Sequence, residues 1–211
     1  MPQNRLLLLT AFEPFGGRAK NASQEALQRL MAKAADFPSL RLTARFLPVE
    51  TGVAAQAICR ALDEVRPDIL LSLGEAKRDT INLERFGYNE RRYTIPDNAG
   101  NLLDGAPVVP GGPPAYRSTL PLEEILAAVQ AAEIPIRLSD DPGRYLCNEV
   151  LYSALHHVTE TRSPALVAFM HVPHLPEAAD SPGYPSMPSH KVVQALSVAL
   201  GALAKQDVPR G

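Results

Sequence analysis

Cys147 is the first residue that could do chemistry, because it sits where a polar loop ends and an apolar helix begins. Apolar residues follow it at helical spacing over two turns: Val150, Leu151, Ala154, Leu155 and Val158. A thiol in the first turn of a helix feels the positive end of the helix dipole and backbone N–H groups without partners, and both favour the thiolate. Cys147 is therefore a candidate nucleophile, although a free cysteine is more often a small buried apolar residue.

His171 is the candidate base for this thiol. It follows an apolar run that predicts a buried strand over residues 165–170, so we expect His171 at the carboxyl end of that strand. In open α/β sheets the functional site gathers at the carboxyl ends of strands. A thiol at a helix start and an imidazole at a strand end form the pair in which a cysteine obtains its base. The second cysteine, Cys59, lies in a mid-helix pattern, and we interpret it as a packing residue.

Composition excludes several classes of protein. The chain of 211 residues is long enough for one sizeable core, and we expect a single domain over 1–211. A formal net charge of −2 gives no electrostatic footprint for nucleic acid or for an anionic membrane. Two cysteines cannot form a disulfide framework, no CxxC metal spacing occurs, and no apolar run reaches membrane-spanning length. The apolar run at 6–9 is too short for a signal-peptide core, so the cytoplasm is the expected location.

Strand and helix patterns alternate along the chain. Strands are predicted at 5–11, 42–49, 69–73, 134–138 and 165–170. Helices are predicted from about Asn21, over 52–65, over 119–132, at Cys147 and over 190–204. This alternation predicts an α/β fold with a twisted, mostly parallel open sheet and helices on both faces.

Two stretches interrupt the alternation. Residues 80–88 alternate weakly and indicate an extra strand or hairpin, and residues 89–94 carry an unusual concentration of charge. Residues 96–116 contain five prolines and four glycines, and residues 172–189 contain five prolines. Long irregular connections inside a compact domain usually serve function or assembly.

The loop after the first strand reads T-A-F-E-P-F-G-G at 10–17. Glycines in this place could cradle a phosphate, but the spacing fits neither GxGxxG nor a P-loop. Phe12 and Phe15 flank Pro14, which indicates either an apolar slot for a flat ring or a packed turn.

This loop resembles the opening of the pyroglutamyl-peptidase family (pyrrolidone-carboxylate peptidases), in which a first strand leads into F-E-P-F-G-G. Six further motifs similar to the family's follow in order: L-E-R at 83–85, I-P-D-N at 95–98, A-Y-R-S-T-L-P at 115–121, G-R-Y-L-C-N at 143–148, M-H-V-P at 170–173 with L-P at 175–176, and P-S-M at 185–187. The resemblance runs from the first strand to the last helix, and it is specific because all seven motifs keep their order.

The resemblance implies a three-layer α/β/α sandwich and a cysteine exopeptidase that removes N-terminal pyroglutamate from peptides without metal or cofactor. The family's catalytic cysteine, histidine and glutamate correspond to Cys147, His171 and Glu84. On sequence alone, the favoured interpretation of Glu84 is a surface glutamate that pairs with Arg85 or Arg78. Family members commonly form homotetramers, so a homo-oligomer is expected here.

The implied chemistry is acyl transfer through a thioester. His171 would take the thiol proton, the thiolate would attack the pyroglutamyl carbonyl, and backbone N–H groups near 144–147 would hold the oxyanion. A carboxylate beside His171 would fix its tautomer, and Asp97 is an alternative to Glu84 for this role unless it caps a turn. Four residues are expected to line a ring-sized slot: Phe12, Phe15, Tyr145 and Leu146.

One segment departs from the family pattern. Residues 74–78 read G-E-A-K-R where the family often has G-x-A-G-G-R, which leaves substrate preference less fixed than the chemistry. Two other functions stay open on the residues. One is a non-catalytic α/β small-molecule binder, and the other is a phosphate-using enzyme such as a nucleoside phosphorylase, for which Arg78, Arg85 and Arg144 would be the phosphate ligands. His174 is expected to be a loop residue rather than a metal ligand.

Overall fold

The central sheet is built from the apolar runs of the sequence. The computed structural model describes residues 4–176, 183 and 185–205. The strands of this part of the chain are β1 Arg5–Phe12, β2 Leu40–Leu47, β3 Ile69–Ala76, β4 Ile81–Glu84, β5 Phe86–Tyr88, β6 Arg91–Arg92, β7 Asp104–Ala106, β8 Ala115–Arg117, β9 Ile136–Ser139 and β10 Leu166–Pro173. The helices are α1 Ala22–Met31, α2 Val53–Val65, α3 Leu122–Ala131, α4 Leu146–Glu160 and α5 Ser189–Ala204.

Six strands form one mixed sheet in the order β2-β1-β3-β10-β4-β9. The first four run parallel, β4 runs antiparallel to β10, and β9 runs parallel to β4. The expectation of a mostly parallel open sheet is confirmed. The weak alternation at 80–88 gives two consecutive strands, because β4 joins the central sheet while β5 pairs with β8 outside it.

Helices cover both faces of the sheet, and alternating side chains of the strands point to opposite layers. Leu7 and Leu9 of β1 belong to the core that includes residues of α1, α3 and α5, whereas Leu8 belongs to the core formed with α2 and α4. Strands buried on both faces read as continuous apolar runs, which is why β1 and β3 have this composition. The three-layer α/β/α arrangement is therefore confirmed.

The segment between β4 and α3 folds as two small antiparallel ribbons, β5 with β8 and β6 with β7. Its contact with α4 is close. A Cβ atom added at Gly87 would lie 2.9 Å from the backbone nitrogen of Tyr152, so only glycine lets β5 approach the helix. The long connection thus packs over the helix that carries Cys147.

Three predicted boundaries need correction. The helix predicted over 119–132 begins at Leu122, because Thr119 is bound to β10: its N–H donates to the Val167 carbonyl (2.9 Å) and its Oγ1 accepts from the Val167 N–H (2.7 Å). The strand predicted at 42–49 is β2, which is displaced by two residues toward the N-terminus. The strand predicted at 165–170 extends through Pro173, so His171 lies inside β10, near its carboxyl end, rather than after it.

None of the helices that the structure describes is long and apolar enough to span a membrane.

Candidate active site

Cys147 is the second residue of α4, as predicted from the change of pattern at this position. The residue before the helix, Tyr145, has extended backbone angles and makes no side-chain cap to the helix. The N–H groups of the first turn therefore face the thiol without a capping side chain, and the positive end of the helix dipole favours a negative sulfur.

His171 and Glu84 lie on neighbouring antiparallel strands. In the register of β10 and β4, Phe169 is opposite Glu84 and His171 is opposite Asn82. The Nδ1 atom of His171 is 2.8 Å from Oε1 of Glu84, and the two residues are 3% and 0% exposed. Since Nδ1 is engaged by the carboxylate, Nε2 is left for the thiol.

The charge on His171 is set by its two neighbours. Burial alone would lower its pKa, but the negative sulfur of Cys147, a hydrogen bond with that sulfur and the Glu84 carboxylate raise the pKa to about 9. The imidazolium form is therefore favoured at neutral pH when Cys147 is a thiolate. A thiol beside an imidazole that a carboxylate orients is the arrangement that a cysteine nucleophile and its base require.

Glu84 is a buried residue and not the surface glutamate that was its other interpretation. Arg85 instead forms an ion pair with Asp140, at the surface. Arg78 is a second cationic neighbour of Glu84 besides His171, with Nη2 4.0 Å from Oε1, and the same nitrogen donates to the Asp141 carbonyl at 2.6 Å. Arg78 thus offsets part of the cost of burying the Glu84 carboxylate.

Asp97 caps a turn, which was the other interpretation of this residue. Its carboxylate accepts hydrogen bonds from the backbone N–H groups of Thr51 (2.8 Å), Ala99 (3.0 Å) and Asn101 (2.8 Å). It is Glu84, and not Asp97, that faces His171. The neighbouring Asn98 donates from Nδ2 to the Pro14 carbonyl at 3.0 Å, so the I-P-D-N segment holds the F-E-P-F-G-G loop.

The four residues expected to form a slot line one pocket beside the thiol. This ring pocket has a volume of about 280 Å³, including its open mouth, and is lined by Phe12, Phe15, Asn21, Val49, Glu75, Tyr145, Leu146 and Cys147. The rings of Phe15 and Tyr145 pack with centroids 6.3 Å apart. Sequence reasoning did not place Asn21, Val49 or Glu75 here. The departure from the family pattern at 74–78 was the one signal that pointed to Glu75.

A second buried carboxylate, Glu149, fixes the start of α4. It accepts hydrogen bonds from the Gly52 N–H (2.6 Å), Arg91 Nε (2.7 Å) and the Tyr93 hydroxyl (2.7 Å). The Tyr93 ring in turn packs edge-on against Tyr145, with centroids 4.7 Å apart. The charged stretch at 89–94 therefore supplies the partners of Glu149, a role that its composition did not reveal.

The arginines considered as phosphate ligands are engaged by carboxylates in the part of the chain that the structure describes. Arg144 pairs with Glu90 and Asp141, and Arg85 pairs with Asp140, so the arginines considered as phosphate ligands bind carboxylates instead. Within residues 4–176, 183 and 185–205, no group of three or more His, Cys, Asp and Glu side chains could hold a metal ion. His174 follows the last residue of β10, outside the helices and the named strands, as expected for a loop residue, but it is buried and its Nδ1 lies 2.8 Å from Glu75 Oε1.

Cys59 differs from Cys147 in its position and its neighbours. It lies within α2, where its thiol contacts the Ser153 carbonyl at 3.9 Å. Burial and the nearby Asp63 raise its pKa to about 11, so the thiol stays neutral at physiological pH. The interpretation of Cys59 as a packing residue agrees with this environment.

A thiol at a helix start, an imidazole and a buried carboxylate on an α/β/α sandwich define the class of hydrolases that use a cysteine nucleophile. Comparison with known proteins narrows the class. The family model described as pyroglutamyl peptidase matches residues 5–206. The chain belongs to the pyroglutamyl peptidase family, which confirms the expectation of a cysteine-type omega peptidase family drawn from the motifs.

Individual relatives agree over nearly the whole length. The chain is 38% identical over 198 residues to a pyrrolidone-carboxylate peptidase of Yersinia pseudotuberculosis, covering 93% of this chain and 91% of that protein. Its fold matches pyroglutamyl peptidase I of Bacillus amyloliquefaciens with a TM-score of 0.89 at 30% identity, covering 96% and 98% of the two chains. A mutant pyrrolidone carboxyl peptidase of Pyrococcus furiosus matches with a TM-score of 0.84 at 35% identity, covering 93% and 97%.

Proposed function

We propose that this protein is a cysteine exopeptidase that removes N-terminal pyroglutamate from peptides through a thioester intermediate. Cys147 is the nucleophile, His171 is the base and then the acid, and Glu84 orients His171. The observation that carries the proposal is the buried Glu84–His171 pair, 2.8 Å apart, beside a thiol that lines a largely apolar pocket. The names of the relatives supply the substrate class.

The first half of the reaction forms the thioester. The sulfur of Cys147, with its proton transferred to His171, attacks the carbonyl carbon of the pyroglutamyl residue. The negative charge that develops on the carbonyl oxygen is held by backbone N–H groups at the start of α4. His171 then donates its proton to the amine of the departing peptide, and the C–N bond breaks.

The second half releases pyroglutamate. His171, now neutral, takes a proton from water, and the hydroxide attacks the thioester carbonyl. The sulfur leaves, and the thiolate–imidazolium pair is restored. Glu84 keeps the proton on Nδ1 of His171 through both halves, because its carboxylate accepts a hydrogen bond from the Nδ1–H group whether the ring is neutral or charged.

Specificity follows from the chemistry of the ring pocket. Pyroglutamate is a neutral lactam, and the apolar side chains of Phe12, Phe15, Tyr145 and Leu146 suit a flat ring. A free N-terminal amine would lose its water there, which costs several kcal/mol unless a partner is supplied. Other N-terminal residues should therefore be rejected. A purely binding protein, the alternative function, would need no thiol beside a buried imidazole.

The proposal is tested with the purified protein and two fluorogenic substrates, pyroglutamyl-aminocoumarin and alanyl-aminocoumarin. We expect cleavage of the first, strong discrimination against the second, and loss of turnover after iodoacetamide treatment. Mass spectrometry of an acid-quenched reaction should detect a pyroglutamyl adduct on the peptide that contains Cys147. A protein that binds the lactam but releases no coumarin would contradict the proposal and favour the binder.

The two free thiols fit a reducing compartment, so we propose the cytoplasm as the location.

A further inference from the structure

Glu75 is an unusual residue to find in the wall of the ring pocket. Among the described residues that line this pocket it is the one carboxylate, and its side chain is 1% exposed. An ionised carboxylate removed from water is costly unless it is paired and hydrogen-bonded. The structure around Glu75 should therefore show what compensates the charge.

Three partners from three different elements surround the Glu75 carboxylate. Arg18, on the loop between β1 and α1, forms an ion pair with it. The backbone N–H of Ala22, the first residue of α1, donates to Oε2 at 2.6 Å. Nδ1 of His174, just after β10, lies 2.8 Å from Oε1. Burial alone would raise the pKa of Glu75, but hydrogen bonds from His174, Arg18 and Ala22 together hold it below its ordinary value.

Arg18 connects this carboxylate to the aromatic wall of the pocket. The backbone N–H of Arg18 donates to the Phe15 carbonyl at 3.2 Å, which closes a turn through Gly16 and Gly17. The guanidinium carbon of Arg18 lies 5.9 Å from the centre of the Phe15 ring. Gly16 and Gly17 have φ angles of +62° and +75°, which favour glycine, so the turn places Arg18 and Phe15 close together.

Resting on the proposed pyroglutamyl specificity, we propose that Glu75 is a positioning residue that holds the Phe15 wall of the ring pocket through Arg18. The Arg18–Glu75 ion pair then determines how tightly the ring of the substrate is held. Glu84 and His171 lie on β4 and β10 and pair with each other, so we expect the Arg18–Glu75 pair to act on the pocket wall and not on the reactivity of the thiol. The departure from the family pattern at 74–78 acquires a role in substrate binding.

A double-mutant cycle tests this role. The variants are Arg18→Met, Glu75→Gln and the combination, with KM and kcat measured on pyroglutamyl-aminocoumarin. We expect KM to rise about tenfold in each single variant, while the combination rises no further than the more affected single variant, because both changes break the same ion pair. Arg18→Lys, which keeps the charge, should recover part of the loss. Arg117→Met, which breaks an exposed ion pair with Glu123, is the matched control and should leave KM unchanged.

A second readout separates positioning from damage to the fold or to the thiol. The free lactam 2-pyrrolidone should protect Cys147 of the unmodified protein from iodoacetamide, and about tenfold more lactam should be needed in Arg18→Met, with the unprotected labelling rate unchanged. Arg18 lies on a loop, so Arg18→Met keeps the test decisive if Glu75→Gln folds poorly. Multiplicative effects on KM in the cycle, or a fall in kcat with KM unchanged, would overturn the inference.

The role of Glu75 and the proposed function are decided by different measurements. Turnover of pyroglutamyl-aminocoumarin by the unmodified protein decides the function. The KM cycle and the lactam protection decide the role of Glu75. If the lactam protects Cys147 but the protein does not turn over the substrate, the proposed peptidase function is wrong. The effect of Arg18 and Glu75 on lactam binding can still be measured.

Discussion

Gly74 lies directly opposite His171 in the parallel register of β3 and β10, and it makes room for the thiol of Cys147. A Cβ atom at Gly74 would be 2.9 Å from the Cys147 sulfur and 2.7 Å from Cζ of Phe169. Both distances are shorter than van der Waals contact allows. The start of α4 can therefore rest on β3 only where that strand has no side chain.

Gly74→Ala should displace the sulfur and reduce activity strongly. We expect kcat/KM to fall by about a hundredfold and the free energy of unfolding to drop by roughly 1–3 kcal/mol, because the added methyl overpacks a closed site. Gly201→Ala is the control: it lies within α5 with open space around the new methyl, and should stabilise the protein by up to about 1 kcal/mol. Full activity in Gly74→Ala would contradict the close packing beneath the thiol.

Substitution of Cys147 and substitution of Cys59 should have different effects. Cys147→Ser should abolish turnover, because a hydroxyl is a far weaker nucleophile than a thiolate. Cys59→Ser should retain turnover and change mainly the melting temperature, since its thiol packs between α2 and α4. Peptide mapping after brief iodoacetamide treatment at neutral pH should find the label on Cys147, because the pKa of Cys59 is raised to about 11. Substantial turnover in Cys147→Ser would refute the assigned nucleophile.

The raised pKa of His171 has a consequence for pH dependence. Its folded value of about 9 lies above the ordinary 6.5, so protonated His171 adds stability that is fully present below pH 6.5 and is lost as pH rises through about 9. Turnover should fall over the same alkaline range, as the acid for the leaving amine disappears. In Glu84→Gln one source of the raised pKa is gone, and the alkaline limb of the kcat/KM profile should move to lower pH. If the alkaline limb of the profile does not move in Glu84→Gln, Glu84 does not raise the pKa of His171.

Phe15→Ala tests the ring pocket independently of the thiol. Loss of one face of the pocket should raise KM for the pyroglutamyl substrate by about tenfold or more, since burial of an aromatic face contributes on the order of 1–3 kcal/mol. The iodoacetamide rate at Cys147 should stay within about twofold of the unmodified protein's, a difference of less than roughly 0.5 kcal/mol in the barrier.

If the unmodified protein cleaves alanyl-aminocoumarin within about tenfold of the pyroglutamyl substrate in kcat/KM (a gap of roughly 1.4 kcal/mol), the pocket assignment is wrong even if the triad is right.

Assembly is a further prediction. Ile95, directly before the proline- and glycine-rich segment 96–116, and Leu102, within it, are 47% and 63% exposed. We expect a homotetramer with two-fold contacts, and therefore a mass by light scattering near four times the 22.8 kDa of one chain. Leu102→Lys should shift the mass toward smaller species if this segment lies in a contact. A monomer at micromolar concentration would count against assembly.

Local pattern was enough to predict most of the sheet and the position of Cys147. Continuous apolar runs marked β1, β3 and β10, because strands buried on both faces have no polar alternation. The change from a polar loop to an apolar helical stripe placed Cys147 in the first turn of α4. The end of β10 was missed because His171 and Pro173 interrupt the apolar run, although both remain paired with β3.

Pairings between distant elements were not accessible in the same way. Glu84 is 87 residues from His171, and only the family resemblance connected them. The partners of Glu75 come from a loop, a helix start and the end of a strand. Local periodicity of the sequence does not predict contacts between elements so far apart. The expected position of His174 outside the strands agrees with the structure, but its burial against a carboxylate 99 positions earlier, in β3, was not predicted.

The antiparallel insertion of β4 puts the carboxylate partner of His171 inside the sheet, while Phe15, Arg18 and Asn98 lie on loops that bind to one another and to β3. Directed evolution toward a different N-terminal residue should therefore succeed through changes around the pocket that leave β4 and β10 untouched. A library at 15, 18, 49 and 75 would vary the shape and charge around the incoming residue against a constant nucleophile. Natural diversification of the family could follow the same route, with new substrates acquired before any change in the reaction.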